Sequence, residues 1–243
     1  MRNALKTVPG VLAAAVLAAM ALGKTTGGSK APETTTRPTA PAKAGLRELK
    51  LKLPEPRFEG TPPDLKKHKV RPPTDNRRIM VPEGLDLKNV ALNKPVTGSN
   101  EEPTLGELEL VTDGDTEAED GSHVELGPGV QWVQVDLQSV HEIHVILLWH
   151  YHAEARIYHD VVVQVCDDKD FITGVRTLFN NDHDNSAGLG VGKDLPYIED
   201  FRGEAIQPRK PVRARYVRLY SNGNTSNDLN QYTEVEIYGT LKE

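Results

Sequence analysis

Apolar and polar residues alternate along the second half of the chain. In Gln131–Leu137 the residues Val133, Val135 and Leu137 share one face. Val161, Val163 and Val165 do the same within 160–166, and Val217 and Leu219 oppose Tyr216, Arg218 and Tyr220 within 214–220. Near the C-terminus Val235 and Ile237 oppose Glu234, Glu236 and Tyr238. This period of two is that of a half-buried strand. Two further runs, 141–149 and 175–179, are apolar and β-branched without clean alternation. Gly, Asn and Asp clusters separate the runs, and none of them has the 3.6-residue period of an amphipathic helix. The pattern predicts an all-β sandwich over 89–243, about 155 residues, long enough to bury one core without disulfides.

The preceding segments differ. Residues 1–23 carry Arg2 and Lys6 ahead of an Ala/Val/Leu-rich run of about 15 residues and a small-x-small site at Ala21-Leu22-Gly23. That is the layout of a signal peptide, and it predicts an exported protein: secreted, periplasmic or held in the cell envelope. Residues 24–88 hold ten of the 17 prolines, several Lys clusters and one aromatic residue, Phe58. This composition predicts a disordered Pro-rich basic linker, in preference to an alternative in which Leu49–Pro56 lies along the sandwich as an extra strand.

Charge sharpens the division. Residues 24–88 carry 15 basic and 8 acidic side chains, whereas 89–243 carry 12 basic and 27 acidic ones, a net −15. So acidic a module repels phosphates and anionic lipids, which argues against nucleic acid as a partner and against membrane insertion. The single cysteine, Cys166, excludes an intramolecular disulfide and reads as a buried thiol in a strand.

Five segments, in order, resemble discoidin (coagulation-factor type C) domains of the galactose-binding-like superfamily. They are Asn89–Ser99, the Val111-Thr-Asp-Gly-Asp115 turn, Trp132-Val-Gln-Val-Asp-Leu137, Ala214-Arg-Tyr-Val-Arg-Leu-Tyr220 and Tyr232-Thr-Glu-Val-Glu-Ile-Tyr-Gly239. The resemblance implies a jelly-roll β-sandwich that binds carbohydrate or another cell-surface polymer through loops at one end and does not catalyse. It also implies a structural Ca²⁺ at the Asp-Gly-Asp turn, held by Asp113 and Asp115 and closed by Glu234. Hard oxygen donors of this kind suit Ca²⁺, and a metal-free turn is the alternative. The chain departs from the family in lacking hydrophobic loop spikes and in carrying a long polar loop over 180–194.

Sugar recognition needs an aromatic face and planar polar groups. His150, Tyr151, His152, Arg156 and Tyr158 supply both around one connection, and Asp182, His183, Asp184, Asn185, Asn222 and Asn224 lie in loops that would converge there. Two other readings use the same surfaces. One is an envelope adhesion or scaffold protein that binds another protein. The other is a metal-dependent hydrolase in which His150 and His152, at i and i+2, join the Asp182–Asp184 loop.

Overall fold

The structure is a computed structural model that describes residues 45–72 and 78–241. The expected signal peptide, and the expected linker up to residue 44, lie outside the described residues. Among the described residues eleven strands follow one another: β1 (Leu46–Glu48), β2 (Met80–Pro82), β3 (Lys88–Asn89), β4 (Val96–Gly98), β5 (Val124–Leu126), β6 (Gln131–His150), β7 (Val162–Cys166), β8 (Arg176–Asn180), β9 (Glu204–Ile206), β10 (Val212–Ser221) and β11 (Asn230–Leu241). Helical structure among the described residues is confined to two 3-10 turns, at Leu65–Lys67 and Leu108–Thr112. The all-β expectation holds, as an antiparallel sandwich.

Strand β6 organises it. The two runs read in the sequence as separate, 131–137 and 141–149, form one strand of 20 residues. Gln138, at φ 65°, bends it, with its N–H donated to the Asp136 carboxylate. Before the bend β6 pairs with β4 and β10; after it, mainly with β11 and β9. The strand therefore contributes to both layers. The alternating positions meet between them: Val133, Val135 and Leu137 of β6 pack with Val163 and Val165 of β7, Val217 and Leu219 of β10, and Val235 and Ile237 of β11. Cys166 is buried, its thiol directed to the Thr173 carbonyl.

The unalternating run after the bend has a separate cause, because both of its faces are covered. Ile143, Ile146 and Leu148 face the central core, while Val145, Leu147 and Trp149 lie in a second cluster with Leu49, Ile79, Val81 and Leu87. Those four residues belong to the segment expected as linker. Over the described part of 45–88 that expectation is corrected: the segment is a strap laid on the sandwich. β1 and β2 pair with each other, and the Leu49 amide bonds the Ile79 carbonyl. Charge assists, since Arg57 pairs with Glu119 and Arg71 forks onto the buried Glu204. Four apolar anchors and complementary charge outweigh the entropic bias of the prolines.

Candidate functional site

Strand β6 ends at His150, where Tyr232 of β11 lies opposite it and the loop before β9 closes over it. His150 is fully buried. Its ring stacks on Tyr158 at 4.0 Å, and its Nδ1 lies 3.0 Å from Glu199 Oε2. Burial pushes the His150 pKa down to about 3, so its ring is neutral at pH 7, and burial together with the nearby Asp200 and Glu204 carboxylates pushes the Glu199 carboxyl well up. His152 is also buried, with Nε2 2.9 Å from the Thr116 carbonyl, and burial lowers its pKa. The two histidines thus engage different elements instead of offering a paired donor face.

Around them the polar groups form one network. Arg156 Nη1 donates to Gln231 Oε1 at 2.8 Å, and the Tyr158 hydroxyl donates to the same oxygen at 2.9 Å. Gln231 in turn donates to Glu125 at 2.8 Å. At the surface stands Tyr151, half-buried, its ring centroid 4.6 Å from that of His123 and 4.9 Å from the Arg156 guanidinium carbon. Five buried atoms here lack a hydrogen-bond partner: His123 Nδ1, His150 Nε2, His152 Nδ1, Arg156 Nε and Glu199 Oε1. Buried polar atoms are nearly always satisfied, so this strand end is a candidate site.

The remaining nominated residues form a second group. Asp182 is buried and accepts the amides of Ser186 and Ala187; Asp184 also accepts Ser186 N, and Asn185 accepts the Gly190 amide. His183 is exposed, its Nε2 2.8 Å from the Asp194 carbonyl. Asn222 donates to Asp160 at 2.8 Å, whereas Asn224 spends its amide organising the 224–229 turn. Tyr158 bridges the groups: it stacks on His150 and also lines a shallow recess with His159, Asp160, His183 and Asp184. Among the described residues, the His, Cys, Asp and Glu donors close enough to share an ion are Asp160, Asp182 and Asp184. Neither His150 nor His152 is among them, so the His-plus-Asp transition-metal set expected for a hydrolase is not assembled; the strand end points both histidines into the protein.

The Asp-Gly-Asp turn stands apart. Gly114 takes φ 88°, and its amide donates to Glu234 Oε2 at 3.3 Å. Asp113 and Asp115 are exposed and each caps a following amide. Glu234 is fully buried, and its Oε1 has no partner. Burial first, then the nearby carboxylates Asp113, Glu236 and Asp115, push its pKa up to about 9. An unpartnered buried carboxylate oxygen beside two acidic side chains fits a hard cation in chemistry. The three carboxylates do not themselves close within a shared ion's reach, so backbone carbonyls would complete such a shell.

Neither family models nor curated proteins match the chain. Solved structures similar to it include the CBM32 module of AlyQ in complex with 4,5-unsaturated mannuronic acid, at 21% identity and TM-score 0.40, covering 59% of this chain and 92% of that one. Another is a fucolectin from the serum of striped bass, Morone saxatilis, at 19% identity and TM-score 0.45, covering 64% and 50%. A third is chitosan-binding module 1 from a Paenibacillus sp. IK-5 chitosanase/glucanase, at 22% identity and TM-score 0.41, covering 63% and 99%.

Proposed function

We propose that the sandwich is a non-catalytic carbohydrate-binding module that reads its ligand around Tyr151. The observation that carries this reading is the half-buried Tyr151 ring beside His123 and Arg156, each of which keeps a buried nitrogen without a partner. An aromatic face stacks on the C–H side of a sugar ring, and fixed planar donors beside it take hydroxyls. Gln231 orients Arg156, and Glu125 orients Gln231, so part of the ordering entropy is met before a ligand arrives. Glycan array and calorimetry on wild type and Tyr151→Ala test the reading. Tyr151→Ala is expected to weaken binding by about ten-fold or more. A folded wild type that binds no glycan, or that instead binds an envelope protein undisplaced by free sugars, would refute it.

Calcium belongs to the same proposal. Held by Asp113, Asp115 and Glu234, Ca²⁺ would neutralise the Glu234 carboxylate. It would also brace the turn leading into Thr116, whose carbonyl holds His152. The expected result is a melting point raised by Ca²⁺ and lowered by chelator, since a ligand bound only to the native state stabilises it. Export rests on the pattern in residues 1–23; among the described residues no helix is long and apolar enough to cross a membrane.

A further inference from the structure

The strap does more than cover apolar surface. Where residues 56–72 pass the loop before β9, they enclose a cavity of about 370 Å³ whose lining includes Phe58, Arg71, Tyr197, Phe201, Arg202 and Glu204. The volume falls within the range of small-molecule sites, roughly 300–1,000 Å³. The geometry points to a second ligand site, for a neutral pyranose ring, built jointly by the strap and this loop and separate in its residues from the Tyr151 cluster.

Three observations carry it. The first is charge. Arg71 places both terminal nitrogens on Glu204, Nη1 to Oε1 at 2.9 Å, and Arg202 Nη1 donates to Asp200 Oδ2 at 2.6 Å. Each cation in the lining is therefore matched by a carboxylate, and Glu59 adds a further negative charge, so an anionic ligand would have to break an ion pair to be recognised. A hydroxyl-rich neutral one need not. The second is rigidity. The Arg71 guanidinium also lies over the Tyr197 ring at 5.6 Å, and that of Arg202 over Phe201 at 4.5 Å. These planar groups are held in place by stacking and by ion pairing at once, and fixed planar forks suit pairs of neighbouring hydroxyls. The third is the aromatic supply. Two of the chain's four phenylalanines, Phe58 and Phe201, line this cavity, both half-buried. The strap's apolar anchors in the second cluster are Leu49, Ile79, Val81 and Leu87, and Phe58 is not among them, which leaves its ring in the cavity lining for a ligand.

Amide NMR of the full chain, titrated with lactose, cellotetraose and mannotetraose at millimolar concentration, tests the site, with tetragalacturonate as the charged comparison. At least one neutral probe should give saturable shifts at amides 58–61 and 200–203. Tetragalacturonate should give none there. Phe58→Ala, checked by thermal melting for a wild-type fold, should weaken that response by about ten-fold, while Tyr151→Ala leaves it unchanged. The site is refuted if no neutral probe shifts these amides, if folded Phe58→Ala responds like wild type, or if tetragalacturonate binds there more tightly. A response at 58–61 and 200–203 with none near Tyr151 would sink the reading of the preceding subsection and support this one; the converse would do the reverse.

Discussion

A chain beginning at Asn89 should fold far less stably than one beginning at Gly45. The boundary read from composition puts every strand of the sandwich after residue 88, so a loose linker predicts no difference. In the structure, the strap packs on the outward side chains Val145, Leu147 and Trp149, all fully buried, with Gly203 and Ala205 covering the rest of that cluster. Burying one such side chain contributes roughly 1.5–3 kcal/mol, so three amount to about 5–9 kcal/mol, an upper value because a denatured chain is itself partly collapsed. A domain of this size has only about 5–15 kcal/mol in total. At roughly 2–4 °C per kcal/mol, the shorter chain should melt about 10–36 °C lower, or associate through the bared face.

The chain supplies its own reporter for this comparison. It holds two tryptophans, and Trp132→Phe leaves Trp149 alone. In the chain from Gly45 the emission of Trp149 should be that of a buried indole, with its Nε1 donated to the Phe201 carbonyl at 3.0 Å; in the chain from Asn89 it should shift to the red and become quenchable. Melting curves that coincide within about 2 °C, with Trp149 equally protected in both, would refute the packed strap.

Three other outcomes can be checked by melting. His150 has a folded pKa of about 3 against an ordinary 6.5, so the native state holds fewer protons than the unfolded chain between those values; stability is present above pH 6.5 and drains at up to about 1.4 kcal/mol per pH unit on acidification, and His150→Phe should flatten that limb. Glu234 shows the opposite sign. Its folded pKa of about 9 against 4.5 keeps a proton on the native state, so metal-free stability falls as pH rises through that window, and Glu234→Gln should flatten the fall and abolish any response to Ca²⁺. Gly203, at φ 63° with a Cβ position 2.7 Å from the Trp149 ring, should lose about 2–4 kcal/mol as Gly203→Ala; a loss below about 0.5 kcal/mol would contradict the close approach.

The strands were legible because period-two burial leaves a direct trace: Val133, Val135 and Leu137, or Val235 and Ile237, are spaced as the core requires. The strap was not. Its anchors are four residues scattered from Leu49 to Leu87 among prolines and lysines, and no local period connects them. Yet the other half of that contact was written into β6. Val145, Leu147 and Trp149 are apolar on the face that an exposed antiparallel sheet would give to water, which signals that something covers it.

The site was legible in its chemistry and not in its exposure. The spacing of His150 and His152 fixes their relation along an extended backbone, but whether a strand end is a rim or an interior depends on what other segments place over it. Here Glu199 and Thr116 come from loops 49 and 36 residues away and take one nitrogen from each histidine. The surface role passes to Tyr151, flanked by His123, which no pattern singled out because a lone histidine in an acidic loop resembles a solvated turn. Gln231 was equally silent: a glutamine at the start of a strand has no signature until Arg156 and Tyr158 are both seen to donate to it. Three of the four segments that meet at Tyr151 are thus joined only by long-range pairing of β5, β6 and β11. A change that shifts the β6–β11 register by one residue would turn Gln231 away from Arg156 and should cost ligand affinity without touching any side chain of the site.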